Sequence, residues 1–290
     1  MRKKMVLIDG NNLLFRMFFG IPNKIYDTNG NMIHGTVGFV GSILKYIKEY
    51  SPNSLMVVFD SEIPSDKYIG DNSYKKNRMM DYGGLSDEKN PFTQLSDIKK
   101  CLNYMGIMNL EIPKCEADDI IATICKKYYS LYDQIIIIST DKDYFQLIDE
   151  KILVISPHGK KTVIYTDDLL YSKFGVYPQN YIFFSSLIGD KSDNISGIKG
   201  IGMVTAAALV NKYTDVDDLY NNISTLKFGI AKKLEGKKEH LQNNIYLISM
   251  NSNLNINISL DACDIKKENF INAKTMEIIE GVRKNEEMPV

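Results

Sequence analysis

The chain has 290 residues, of which 44% are hydrophobic and 24% charged, a balance typical of a globular protein with one large or two moderate domains. No segment approaches the roughly 18 consecutive apolar residues of a membrane span, and the residues before the first apolar strand are too few for a secretory signal, so no membrane partner is expected. The formal net charge of −1 excludes a uniformly basic nucleic-acid-binding protein, but not one whose acids are gathered in one cleft.

Four cysteines and three histidines limit the metal chemistry that the chain can perform. Cys101, Cys115, Cys125 and Cys263 show neither a CxxC pair nor a zinc-binding spacing, which predicts buried, reduced thiols of an intracellular protein. With so few histidines, a metal site must use oxygen ligands. Such ligands indicate Mg²⁺, with Mn²⁺ as a substitute.

Three apolar runs in the first half of the chain are each followed by aspartate. The runs are 5–8 before Asp9, 54–59 before Asp60, and 134–139 before Asp141 and Asp143. Continuous β-branched runs alternating with helices, here predicted at 13–20, 35–50, 92–105 and 116–131, are typical of an α/β fold with a parallel sheet covered on both faces. Because parallel strands end at one edge of a sheet, we expect these aspartates to lie close together there.

The segment after the second strand interrupts this pattern. Residues 61–90 are polar, contain three glycines and include Tyr74, Lys75 and Arg78. A loop of this length in a compact domain is usually functional or disordered. The segment is therefore either a solvated insertion or a positively charged lid over the acidic edge, with Lys75 and Arg78 three residues apart on one helical face.

Three carboxylates lie within four residues at Glu116, Asp118 and Asp119, directly before an apolar run with helical spacing. They would occupy the first turn of a helix, where free amides and the helix dipole favour negative charge. One interpretation is a capped, solvated helix start. The other is part of a metal site, because neighbouring carboxylates repel one another unless a cation compensates them.

Residues 151–165 predict a short antiparallel pair, and a helix follows from residue 166. Two further acids, Asp190 and Asp193, then precede a glycine-rich loop with the sequence Gly197-Ile198-Lys199-Gly200-Ile201-Gly202. Such a loop opening a helix exposes backbone amides to an anion, and its spacing is typical of a helix-hairpin-helix that binds a phosphate backbone without reading sequence.

For residues 213–290 the sequence predicts helices without identifiable chemistry. The lysine pairs at 232–233 and 237–238 in this stretch are interpreted as a solvated surface.

The nine acids named above change the interpretation of the net charge. Without them, 35 basic residues would face 27 acidic ones, a balance of +8. A mostly basic surface around a compact acidic cleft suits a metal-dependent enzyme that acts on phosphates.

Six of these motifs, in this order and over nearly the whole chain, resemble the 5′ nuclease family, meaning the flap endonucleases and the 5′→3′ exonuclease domain of bacterial DNA polymerase I. The motifs are Leu7-Ile8-Asp9-Gly10-Asn11, Val57-Val58-Phe59-Asp60, Tyr74-Lys75-x-x-Arg78, Glu116-Ala117-Asp118-Asp119, Thr140-Asp141-Lys142-Asp143, and Gly189-Asp190-Lys191-Ser192-Asp193-Asn194 with its hairpin loop. Each motif alone is modest evidence, but six in the family order are specific. Because no polymerase domain follows, we expect a freestanding form.

The resemblance implies a fold and a domain organisation. We expect a PIN-like, resolvase-like catalytic domain over residues 1–175, with a helical arch at about 61–92. A helical region with the helix-hairpin-helix motif is expected over residues 176–290.

The resemblance also implies two metal sites that together bind two Mg²⁺ ions. Asp9, Asp60, Glu116, Asp118 and Asp119 would surround the first ion. Asp141, Asp143, Asp190 and Asp193 would form the second site, some of them through water.

The family assigns further residues to the DNA. By this similarity Lys75, Arg78 and Arg16 would neutralise the scissile phosphate, and Tyr74 would stack on a terminal base. The hairpin residues Gly197, Lys199, Gly200, Ile201 and Gly202 would hold the duplex, with a K⁺ ion at the loop in relatives. Relatives commonly carry lysine shortly after the last loop glycine, whereas this chain has Met203-Val204-Thr205 at that place. By this similarity Lys199 is the residue expected to supply the missing phosphate contact.

The function implied is structure-specific hydrolysis at 5′ flaps, at nicked or gapped 5′ ends and at RNA primers during DNA replication and repair. The substrate would be branched duplex DNA or an RNA/DNA hybrid, and the protein a monomer associated with the nucleoid, or with an organelle if a leader has been removed. Two alternatives stay open at this point. One is a non-catalytic DNA-binding paralogue and the other a PIN-like ribonuclease.

Overall fold

The computed structural model describes residues 2–63, 65, 85–159, 161–266, 270 and 273–287. Most of the predicted arch, including Tyr74, Lys75 and Arg78, lies outside the described residues. The roles assigned to these three side chains therefore stay predictions.

A six-stranded sheet forms the centre of the N-terminal part. Its strands are β1 (Lys4–Asp9), β2 (Ser54–Phe59), β3 (Met108–Glu111), β4 (Gln134–Ile138), β5 (Ile152–His158) and β6 (Lys161–Tyr165). They lie in the order β3-β2-β1-β4-β5-β6, and every pair is parallel except β5 with β6. The predicted parallel sheet and the predicted antiparallel pair at its end are both confirmed.

Eleven α-helices are present in the described part of the chain. They are α1 (Gly10–Gly20), α2 (His34–Tyr50), α3 (Leu95–Tyr104), α4 (Ala117–Tyr128), α5 (Asp167–Phe174), α6 (Tyr181–Ile188), α7 (Met203–Val210), α8 (Val216–Asn221), α9 (Phe228–Leu234), α10 (Lys238–Ile248) and α11 (Thr275–Glu287). None of these described helices combines the length and the apolar character needed to cross a membrane.

Both faces of the sheet are covered, because successive side chains of each strand point to opposite sides. Leu7 of β1 packs in one buried cluster with Ile120 and Ile124 of α4. Ile8, the next residue of the strand, packs in a second cluster with Phe39 of α2. Burial on both faces explains why the strands read as unbroken apolar runs.

The structure also differs from the predicted elements in places. Strand β3 was not predicted, because it has only four half-buried residues, of which Met108 and Leu110 alternate with Asn109 and Glu111. The helix predicted at 92–105 is divided into a 3₁₀ turn at Pro91–Gln94 followed by α3. The four cysteines form no disulfide with one another, and Cys101, Cys125 and Cys263 are buried as predicted, whereas Cys115 is only half-buried.

The C-terminal chain returns to the sheet domain after α10. The amide of Asn251 donates to Asp119 of α4, the Tyr128 hydroxyl donates to the carbonyl of Ile258, and the amide of Ile265 donates to Asn53 beside β2. These contacts join residues 251–265 to the N-terminal part. The predicted domain boundary between residues 175 and 176 stays a prediction.

Candidate functional site

The carboxyl edge of the sheet brings together acids from three neighbouring strands. Asp9 is the last residue of β1, Asp60 follows β2, and Asp141 comes three residues after the end of β4. Strand β1 lies between β2 and β4, so the chain continues to β2 on one side of β1 and later to β4 on its other side. The three acids lie at the edge where the strand order reverses in this way. Ligands bind at such switch points in open parallel sheets.

Asp9 is buried and held by three donors. Its Oδ1 accepts from the amide of Asn12 at 3.0 Å and thereby caps α1, while its Oδ2 accepts from the Ser139 hydroxyl at 3.0 Å and the Tyr144 hydroxyl at 3.4 Å. Burial, followed by repulsion from Asp60, raises the pKa of Asp9 to about 7. The folded chain therefore holds this carboxylate against an electrostatic cost that a cation would relieve.

The acids around the start of α4 are fixed by the backbone and by other side chains. Glu116 is the N-cap residue and accepts from the Ser65 hydroxyl at 2.6 Å. Asp119, in the first turn, accepts from the amide of Asn251 at 2.7 Å. The helix start is joined to the end of β2, because the Ala117 amide donates to Asp60 at 2.8 Å.

A second group of acids surrounds Asp143. Burial, followed by the charges of Asp141, Asp193, Asp118 and Asp190, raises the pKa of Asp143 well above its ordinary value. Asp193 is almost fully buried, with 1% of its surface exposed. Acids from the sheet edge, from the start of α4 and from the turn after α6 therefore act on one another electrostatically.

The donor chemistry fits a hard divalent cation, since carboxylate oxygens are the ligands that Mg²⁺ prefers. Within the described ranges, however, there is no group of three or more Asp, Glu, His or Cys side chains whose positions could hold one metal ion.

Arg16 lies on α1, half-buried. Its Nη2 donates to the hydroxyl of Tyr46 on α2 at 2.8 Å. This hydrogen bond directs the guanidinium toward α2, and the predicted contact of Arg16 with a phosphate stays a prediction.

The glycine-rich loop lies between α6 and α7, next to a two-stranded ribbon of β7 (Gly189–Asp190) and β8 (Ile195–Ser196). A Cβ on Gly197 would overlap the backbone carbonyl group of Ile188, so only glycine fits at this position. Ile201 is buried and its amide donates to Ile198, which makes it an anchor of the loop rather than an exposed contact. Lys199 and Gly202 are exposed.

Several residues of the acidic edge were not predicted. Ser139 and Tyr144 hold Asp9, and Asn12 bonds Thr140 through both its amide nitrogen and its oxygen, at 2.8 and 3.1 Å. The only sequence signal for Asn12 is its position three residues after Asp9, the spacing of a helix cap. The contacts of Ser139 and Tyr144 depend on tertiary packing.

Comparison with known families assigns the chain in two consecutive stretches. Residues 4–175 match the model for the 5′-3′ exonuclease N-terminal resolvase-like domain. Residues 176–270 match the model for the 5′-3′ exonuclease C-terminal SAM fold.

Similar individual proteins include both long and short relatives. DNA polymerase I from Thermus thermophilus is 31% identical over 89% of this chain, which spans only 30% of that protein's length. The 5′-3′ exonuclease from Aquifex aeolicus is 32% identical over 91% of this chain and 88% of its own length.

Among solved structures, the bacteriophage T5 D15 flap endonuclease in complex with DNA and metal ions superposes with a TM-score of 0.71 at 22% identity, covering 99% of this chain and 100% of its own. At that identity the superposition supports the fold alone. The matches to the two family models, together with the freestanding relative, show that this chain belongs to the 5′-3′ exonuclease family.

Proposed function

We propose that the chain is a divalent-metal-dependent 5′ nuclease that hydrolyses phosphodiesters at 5′ flaps, at nicked or gapped 5′ ends and at RNA primers. The observation that carries this proposal is the group of mutually repelling acids at the carboxyl edge, where the pKa of Asp9 is raised to about 7 and that of Asp143 is raised well above its ordinary value. Family membership supports the reaction type, and the related T5 enzyme has been seen with DNA and metal ions.

The proposed metal ligands are the nine acids of this edge. Asp9, Asp60, Glu116, Asp118 and Asp119 would serve a first Mg²⁺, and Asp141, Asp143, Asp190 and Asp193 a second, with Mn²⁺ able to substitute. Two such ions would lower the pKa of an attacking water and stabilise the departing 3′ oxygen. Ser139, Asn12 and Ser65 would orient the ligating carboxylates, because fixed second partners reduce the reorganisation needed on binding.

The DNA contacts form a separate part of the proposal. The hairpin loop would hold the duplex through its phosphates, with a K⁺ ion at the loop carbonyls. Lys75, Arg78 and Arg16 would act on the scissile phosphate and Tyr74 on a terminal base. Action on RNA/DNA hybrids, a monomeric state and a nucleoid or organelle location stay predictions.

The experiment compares four labelled substrates, namely a 5′ flap, a nicked duplex, a single strand and an RNA-primed duplex, each with Mg²⁺ or with EDTA. We expect cleavage near the flap junction in Mg²⁺ and none in EDTA. Asp193→Ala should abolish the cut while leaving duplex binding largely intact. Asp168→Ala, which removes an exposed acid from α5, is the matched control and should cleave normally.

Each outcome decides between the functions considered. Binding without metal-dependent cleavage would favour a non-catalytic DNA-binding protein. Cleavage of single-stranded RNA in preference to every DNA substrate would favour a ribonuclease. Absence of both binding and cleavage would contradict the proposal altogether.

A further inference from the structure

The acids of the carboxyl edge are joined by a chain of hydrogen bonds that reaches the 3₁₀ turn after β4 (Lys142–Leu147). The Ser139 hydroxyl donates to Asp9 and accepts from the amide of Asp141 at 3.1 Å. A carboxylate oxygen of Asp141 then accepts from the amide of Asp143 at 3.0 Å. The backbone amide of Asp143 is therefore held from the side of the sheet.

The carbonyl group of the same residue is held by Gln146. The Gln146 Nε2 donates to the carbonyl oxygen of Asp143 at 2.8 Å and to that of Ile248, the last residue of α10, at 3.1 Å. Its Oε1 accepts from the amide of Met250 at 3.1 Å. Both donor positions of this side-chain amide are therefore used, and one of the last carbonyls of α10, which have no partner within the helix, gains one from the 3₁₀ turn.

The chain that leaves α10 continues to the acids at the start of α4. Just beyond α10, the amide of Asn251 donates to Asp119 at 2.7 Å. The carbonyl of Asn251 accepts from the hydroxyl of Thr123, one turn later in α4, at 3.1 Å. Residues 248–251 therefore connect the turn that carries Asp143 with the helix that carries Asp119.

We propose that Gln146 is a positioning residue for both proposed metal sites. It holds Asp143 directly and Asp119 through residues 248–251, and it thereby fixes the spacing between acids that are assigned to different ions. The inference rests on the proposed function, since it concerns the ligands of the same reaction. Partners that orient metal ligands without binding the ion themselves typically contribute about 10- to 100-fold to metal affinity or activity.

The test measures Mn²⁺ binding to the DNA-free protein by calorimetry, so that the result does not depend on catalysis. Gln146→Met keeps the approximate length of the side chain and removes all three hydrogen bonds. We expect its Mn²⁺ affinity to fall by about 10-fold or more, because Asp143 and Asp119 are no longer held at a fixed spacing.

Asn222→Leu is the matched control. The side-chain amide of Asn222 also donates twice, to the carbonyl and the carboxylate of Asp218 at 2.9 Å each, but α8, to which it is joined, carries none of the nine acids. Both variants should unfold at lower urea concentration than wild type, since each loses hydrogen bonds. Only Gln146→Met should lose Mn²⁺ affinity.

Hydrogen exchange tests the connection beyond α10. In Gln146→Met the amide of Met250 loses its acceptor and should exchange faster, and the faster exchange should extend to the amide of Asn251. Asn222→Leu should leave the exchange of both amides as it is in wild type. Faster exchange that is confined to Met250 would overturn the proposed connection to α4.

Flap cleavage provides a third readout. The Mg²⁺ concentration for half-maximal cleavage by Gln146→Met should rise by about 10-fold, and saturating Mg²⁺ should restore a rate near that of wild type, because no proposed ligand has been removed. An unchanged Mn²⁺ affinity in Gln146→Met, or an equal loss in Asn222→Leu, would overturn the inference and leave the proposed function standing. A wild type that binds no Mn²⁺ would contradict both.

Discussion

At the carboxyl edge of the sheet, ionisable side chains would bind the metal ions of the proposed reaction. At the hairpin between α6 and α7, the backbone would make the proposed contact with the phosphates of the duplex. Burial, followed by repulsion from neighbouring acids, raises the pKa of Asp9 and the pKa of Asp143. At the hairpin, Gly197 and Gly189 approach so closely that neither position has room for a Cβ. The edge should therefore be sensitive to loss of charge and the hairpin to added volume.

The largest effect is expected from Asp9→Asn, which removes charge from the edge. Cleavage of a 5′ flap in Mg²⁺ should fall by about 1,000-fold, because the oxygen that would bind the cation loses its charge. In metal-free buffer at pH about 8 the same variant should unfold at a higher temperature than wild type, since the repulsion is relieved. Asp168→Asn is the control. A variant that loses activity together with stability would contradict this account.

At the hairpin, Gly197→Ala should lower the free energy of unfolding by about 3 kcal/mol, because the new methyl group would overlap the Ile188 carbonyl. Gly202→Ala is the matched control, since nothing lies within 4 Å of its Cβ position. Its effect should stay within about 1 kcal/mol. Urea unfolding of both variants measures the difference, and equal losses would show that the close approach is unimportant.

A smaller effect is expected in the pH dependence of stability without metal. The pKa of Asp9 is raised from 3.8 to about 7, so the folded state binds more protons than the unfolded state between these values. The contribution of this group to stability is therefore present at low pH and lost as pH rises toward and past 7. Added Mg²⁺ should restore stability at pH about 8 and do little at pH about 5.

Thermal unfolding of wild type and Asp9→Asn, with EDTA or Mg²⁺ across this range, isolates the contribution of Asp9. The unfolding temperature of wild type minus that of the variant should fall with rising pH in EDTA. A difference that rises with pH would show that the carboxylate is stabilised rather than strained in the folded chain.

The smallest effect is expected from Ser139→Ala, which removes one donor to Asp9 and leaves every acid in place. Loss of such a supporting partner usually costs about 10-fold in metal affinity or activity. The Mg²⁺ concentration for half-maximal cleavage should rise accordingly. Ser42→Ala, which removes a hydroxyl bonded to the Gly38 carbonyl on α2, should change it little, and equal shifts would contradict a specific role.

The sequence predicted those parts of the molecule that depend on local pattern. The apolar runs before Asp9 and Asp60 are strands because both of their faces are buried, so their side chains need no alternation. Strand β3 was not predicted, because its apolar and polar residues alternate over only four half-buried positions. Four residues are too few for a period of two to stand out.

Contacts between distant segments could not be predicted in the same way. Nothing near Arg16 in the sequence indicates that it bonds Tyr46, thirty residues later. The hydrogen bond from Lys233 to the carbonyl of Gly200 likewise depends on how α9 packs against the hairpin loop. The residue types of the acidic edge were predicted, but the partners that hold them were not.

After α10, residues 251–258 lie against α4, and this contact has a consequence for producing the protein as two separate fragments. Asn251 bonds both Asp119 and Thr123, and the carbonyl of Ile258 accepts from Tyr128. If the gene were split after codon 175, the first fragment would contain α4 and its acid-rich start. It would lack Asn251 and Ile258, which bond to this helix in the whole chain. Neither fragment alone should cleave DNA, and activity should reappear only when the two are refolded together.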